Sequence, residues 1–180
     1  MRVVITLIAV VAFAAGCTVK KVAVETHPTD NAPETIKQSK IIVSDNHLAQ
    51  GKKLYYQGKY NQAIKHFVRS IANDRENWET YYYLGLAQQK QGRYDRSIGS
   101  FNNSDRYAPP EREILAKISL ALGESWEEEG YLDRATEKYS QAARLNPKLD
   151  SARVALERVK GKTLKVEKEK QSRQKSKEAH

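Results

Sequence analysis

Side chains able to do chemistry are few and scattered in this sequence. Its histidines stand at positions 27, 47, 66 and 180. No two of them have the short spacing of a zinc site. His66, next to Phe67, reads as a surface or groove-edge residue. Cys17 is the single cysteine, so it can neither close an internal disulfide nor complete a Cys/His ligand set. Glu127, Glu128 and Glu129 could suggest acid–base or metal chemistry. Successive helical side chains leave the axis in different directions, however, so the run reads as a solvated helix end. No G-x-x-x-x-G-K-S/T phosphate loop and no G-x-S-x-G nucleophile elbow occurs. The sequence points to no enzyme activity, no cofactor and no metal.

The elements that carry these residues are those of a helical protein. With 29% charged and 39% hydrophobic residues, the 180-residue chain has room for one domain and its tails. Ten Tyr against three Phe favour half-buried aromatic positions over a deep apolar core. The net charge of +9 is uneven. Residues 44–148 hold 16 basic and 14 acidic side chains, whereas residues 161–180 hold seven basic against three Glu. The folded part lacks the basic stripe that a nucleic-acid partner would need.

Residues 1–16 read as a signal peptide. Arg2 precedes thirteen residues, Val3 to Ala15, that are apolar except for Thr6 and too few to span a bilayer. Ala14-Ala15-Gly16-Cys17 resembles the lipobox of bacterial lipoproteins, whose cysteine is acylated and becomes the first residue. Ala12-Phe13-Ala14 also fits ordinary cleavage, which would release a soluble periplasmic protein. Thr18 rather than Asp follows the cysteine, and by resemblance to enterobacterial sorting this implies the outer membrane. Residues 17–43 lack helical periodicity and contain Pro28 and Pro33, which suits a flexible linker.

Beyond the linker the chain repeats. Gly58-Lys59-Tyr60-Asn61-Gln62-Ala63 returns as Gly92-Arg93-Tyr94-Asp95-Arg96-Ser97 after 34 residues. It returns again as Gly130-Tyr131-Leu132-Asp133-Arg134-Ala135 after a further 38. The four additional residues are close to one helical turn. Small residues recur at Gly51, Gly85 and Gly123, aromatics at Phe67, Phe101 and Tyr139, and terminating prolines at Pro109 and Pro147. This pattern resembles the tetratricopeptide family. The resemblance implies an all-α fold: a right-handed superhelix of three hairpins (44–77, 78–111 and 116–149) within a domain spanning 44–160. Residues 149–160, with Leu149, Ala152, Leu156 and Val159 at helical spacing, suit a capping helix. Residues 161–180 read as a basic tail, disordered or a frayed helical extension.

In tetratricopeptide folds the first helix of each hairpin lines a concave groove. Carried onto this chain, the groove positions are Asp45, Leu48, Lys52, Tyr55 and Tyr56, then Glu79, Tyr82, Leu86, Gln89 and Lys90. The third set is Lys117, Leu120, Glu124, Glu127 and Glu128. Tyr55 and Tyr82 have a second reading, as packing between hairpins. The expected function is a membrane-anchored scaffold or assembly factor of the cell envelope. It would hold a periplasmic or outer-membrane protein in the groove and the membrane through acylated Cys17. Narrower versions resemble pilotins of type IV pilus or secretin assembly, or adaptors for cell-wall hydrolases. The tail reads as a solvated solubility aid or as a contact for an anionic envelope polymer.

Overall fold

A computed structural model of the chain describes residues 32–178, all of them in helices or short connections. The signal segment, Cys17, the linker as far as residue 31, His27 and His180 lie outside the described residues. The helices are α1 (Ala32–Tyr56), α2 (Tyr60–Asn73), α3 (Trp78–Gln89), α4 (Tyr94–Tyr107), α5 (Arg112–Glu128), α6 (Leu132–Leu145) and α7 (Asp150–Glu178). Each helix packs on the next, pairing as α1/α2, α3/α4 and α5/α6, with α7 against α6.

The turn inside each hairpin follows from one glycine. Gly58, Gly92 and Gly130 have φ of 73°, 68° and 84°, a region costly for a residue with a Cβ. The residue after each glycine then donates its N–H five residues back, Lys59 to Leu54, Arg93 to Gln88 and Tyr131 to Trp126, all at 2.9 Å. These bonds satisfy carbonyls that the helix end would otherwise leave open. Between hairpins, Asn77 caps α3 by accepting from the Thr80 N–H at 3.1 Å.

Inside each hairpin a glycine faces an aromatic ring. Phe67, Phe101 and Tyr139 are fully buried against Gly51, Gly85 and Gly123. A Cβ at Gly85 would lie 2.6 Å from the Phe101 ring, and one at Gly123 2.6 Å from that of Tyr139. Around these rings the core forms three clusters along the stack, centred on Phe67, Phe101 and Tyr139. A buried hydroxyl chain stitches the first hairpin to the second: Ser44 Oγ to Ser70 Oγ, and Ser70 Oγ to Thr80 Oγ1, each 2.9 Å.

The structure departs from the sequence reading at two places and decides between alternatives at another. Residues 32–43, expected as linker, are the first turns of α1. Pro33 sits in the first turn, where its missing N–H costs nothing, and Glu34 complements the helix dipole. These turns are little packed: Ile36, Ile42 and Val43 are exposed, Ile41 is half-buried, and the fully buried face begins at Ser44. At the other end α7 continues through residues 161–178, so of the two readings of the tail the helical extension is the one observed. Its Lys, Glu, Gln and Arg are good helix formers, and beyond half-buried Thr163 its residues are exposed as far as 176. The extra four residues of the third unit lengthen α5, which begins at Arg112 rather than 116 and has 17 residues against 12 in α3.

Candidate partner-binding face

The first helices of the hairpins, α1, α3 and α5, stand side by side, with α1 touching α3 and α3 touching α5. Equivalent positions on them reach across to the next hairpin by different chemistry. Tyr55 on α1 sets its ring edge-on to Tyr83 of α3, with centroids 5.9 Å apart. Gln89 on α3 donates to the Ala121 carbonyl of α5 at 2.9 Å and to Ser125 Oγ at 2.8 Å. Glu127 on α5 accepts from Arg158 and Lys162 of α7. This rung is therefore structural, joining each first helix to the next element of the stack.

Lys52 bonds Glu79 at 2.7 Å and lies 4.9 Å over the Tyr83 ring. Both partners keep about a third of their side chains in water, so the pair contributes under about 1 kcal/mol. Tyr56 is 71% exposed, and its hydroxyl meets that of Tyr83 at 3.0 Å. Tyr82 is half-buried against Phe101. Burial, followed by the nearby Glu124, pushes its phenol up to about 12, so it remains a neutral donor. Farther along, Lys90, Glu124 and Glu128 are exposed and rim an open hollow of about 340 Å³ that Gln89, Tyr94 and Arg158 also line.

Glu127 is the most strongly tied residue of the region, with only 3% of its side chain exposed. Tyr139 donates to it at 2.7 Å, Arg158 through Nε at 3.1 Å and Nη2 at 2.7 Å, and Lys162 at 2.7 Å. Burial opposes its ionisation, but the bonds from Arg158, Lys162 and Tyr139 outweigh that and hold it at about 2. A carboxylate accepting this many donors is a stable anion. It fastens α7 to the third hairpin.

The family model for the TPR repeat matches residues 51–92. Among solved structures, the first TPR of Spaghetti (RPAP3) bound to an HSP90 peptide superposes with a TM-score of 0.65 at 17% identity. The match covers 69% of this chain and 95% of that one. The Yersinia enterocolitica type III secretion chaperone SycD, with a peptide of the translocator YopD, superposes with a TM-score of 0.60 at 21% identity. There the shares are 66% and 93%. Residues 51–92 thus carry a TPR repeat, and the described helices have the tetratricopeptide fold. Human protein O-mannosyl-transferase TMTC1 is 24% identical over 100 residues, covering 56% of this chain. This tetratricopeptide protein spans 11% of the length of that relative.

Of the groove positions carried onto this tetratricopeptide chain, Asp45, Tyr56, Lys117, Glu124 and Glu128 lie exposed on the first helices, and Lys90 lies exposed at the C-cap of α3. Lys117 is held by Glu113 at 2.7 Å. Lys52, Tyr82 and Leu86 are half-buried, with Tyr82 and Leu86 packed on the second cluster. Leu120 packs on the third, and Tyr55 on the first. Leu48 belongs to the core itself, against Phe67 and Leu84. Glu127, expected as part of a solvated helix end, is instead the buried anchor of α7, because α7 brings two cations across its carboxylate.

Two further groupings escaped the sequence reading. One is the Tyr139, Arg158 and Lys162 set around Glu127. A signal existed: tyrosine replaces phenylalanine only in the third unit, and a buried hydroxyl demands a partner. The other is His47 and His66, whose Nδ1 atoms stand 3.3 Å apart across α1 and α2. Nineteen residues separate them in sequence, so spacing alone concealed the pair. Among the described residues, no three His, Cys, Asp or Glu side chains cluster to hold a metal. No described helix is long and apolar enough to cross a membrane.

Proposed function

We propose that this tetratricopeptide protein is a protein–protein interaction scaffold, anchored through acylated Cys17 in the bacterial cell envelope and facing the periplasm. The observation that carries the binding reading is the row of first helices. Its exposed Tyr56, Lys90 and Glu124 are left uncovered by the chain, while the residues beneath them are fully engaged in packing. An amphipathic aromatic flanked by both signs of charge suits a helix or extended segment of a protein partner. The peptide complexes of RPAP3 and SycD support the same use of this fold. Thr18 after the cysteine supports outer-membrane placement, by resemblance to enterobacterial sorting. Assistance in secretin or type IV pilus assembly, or recruitment of cell-wall hydrolases, are the narrower forms of this reading.

The test uses residues whose loss spares the fold. Tyr56→Ala, Lys90→Glu and Glu124→Lys combined are expected to weaken partner crosslinking in the native envelope at least tenfold, with thermal unfolding nearly unchanged. Undiminished crosslinking would remove the face from the proposal. Removal of residues 164–180 leaves Lys162 on Glu127 and should preserve capture; loss of capture in that variant would move the function to the basic end of α7. For the anchor, Cys17→Ser is expected to leave the membrane fraction, and persistence there would refute lipidation.

A further inference from the structure

His47 on α1 and His66 on α2 face each other at the edge of the first hairpin. Both are half-exposed. Their Nδ1 atoms are 3.3 Å apart and their ring centroids 5.4 Å. The centroid separation is nearly as long as that nitrogen separation allows, so the two Nδ1 atoms point toward one another. Two imidazoles bound to a tetrahedral ion at about 2.0–2.1 Å would place their nitrogens roughly 3.3–3.4 Å apart and their centroids about 5.2 Å apart. The observed pair is within a few tenths of an ångström of that arrangement before any ion arrives.

Hairpin packing does not require imidazoles at these positions. One repeat along, the equivalents are Tyr81 and Ser100, and in the third unit they are Ser119 and Lys138. Their neighbours do require their own identities: Gly51 against Phe67 is repeated in all three hairpins, and Ser44 with Ser70 fills the next rung. The two histidines are therefore an addition to a hairpin that closes without them.

We propose that His47 and His66 form a two-histidine site for a divalent transition-metal ion, such as Zn²⁺ or Cu²⁺, coordinated through both Nδ1 atoms. Water completes the shell, since no third His, Cys, Asp or Glu joins the pair among the described residues. Imidazole must be neutral to ligate, and His66 is held below its ordinary value by partial burial, then by His47 and Arg69. The Arg69 charge that favours the neutral ring also repels a cation, which with only two protein ligands makes the site one of modest affinity. Cu²⁺ is bound more tightly than Zn²⁺, as nitrogen donors order these ions. The site lies apart from the partner-binding face and does not depend on it.

The experiment titrates the full chain in detergent with Zn²⁺, and separately with Cu²⁺, in a non-coordinating buffer near neutral pH. One saturable site is expected, with His47→Gln and His66→Gln each lowering its affinity at least tenfold, because either loss breaks the chelate. His27→Gln and His180→Gln are expected to change nothing. Ring resonances of the unsubstituted protein provide a reading that does not depend on how the variants fold: Zn²⁺ should shift those of His47 and His66 and leave the other two in place. Saturable binding that survives both substitutions, shifts confined to other histidines, or no binding at all overturns the site.

Discussion

Gly85→Val is expected to destabilise the domain by about 3 kcal/mol, lowering its thermal midpoint by roughly 10 °C or more. Even a single Cβ at Gly85 would lie 2.6 Å from the Phe101 ring, and that ring is fully buried and has nowhere to go. Gly85→Ala separates the two effects of losing this glycine. Alanine gains about 1 kcal/mol in helix propensity and loses about 1–3 kcal/mol to overpacking, so its net cost is smaller. The pair is diagnostic as a cycle. In a Phe101→Leu background the ring is gone, and the penalty of Gly85→Ala should shrink or reverse. Strictly additive costs would mean that the glycine–ring contact does not set the distance between α3 and α4.

Glu127→Ala is expected to cost about 2–4 kcal/mol and to release α7 preferentially. It strands the buried Tyr139 hydroxyl and removes the shared partner of Arg158 and Lys162. Hydrogen exchange should show the loss as faster opening of residues 150–163, with α1 to α4 nearly unaffected. Acid gives the same result without a substitution. The folded carboxyl sits at about 2 against an ordinary 4.5, so the folded state holds fewer protons than the unfolded chain between those values. Its contribution is therefore complete above about pH 4.5 and is lost as pH falls toward 2. Unfolding of the native protein should steepen across that window relative to Glu127→Gln. Parallel pH profiles for the two proteins would contradict the anchoring role.

How much of this was legible in the sequence depends on whether a residue repeats. Gly58, Gly92 and Gly130 mark the hairpin turns because a positive φ is needed at the same step each time. The Gly51–Phe67, Gly85–Phe101 and Gly123–Tyr139 contacts follow because a close approach must be matched by a ring. What happens once is harder to read. Leu48 looks like a groove residue by its register, yet Phe67 of its own hairpin and Leu84 of the next enclose it as core. Glu127 is indistinguishable from Glu128 and Glu129 until α7 is placed across it. The first turns of α1 were missed, and the far end of α7 was left open, for another reason. Their exposed turns have no buried stripe to announce a helix, and propensity and continuity with a docked segment extend them.

The most direct measurement is site-specific photo-crosslinking in the intact envelope, with the reactive residue placed in turn at Tyr56, Lys90 and Glu124 on the first helices and at Val68, Asn102 and Glu137 on the second helices. All six positions are exposed. One and the same protein is expected to be joined at the three first-helix positions and absent from the other three. Crosslinks spread equally over both sets, or confined to the second helices, would contradict a partner seated on the row formed by α1, α3 and α5.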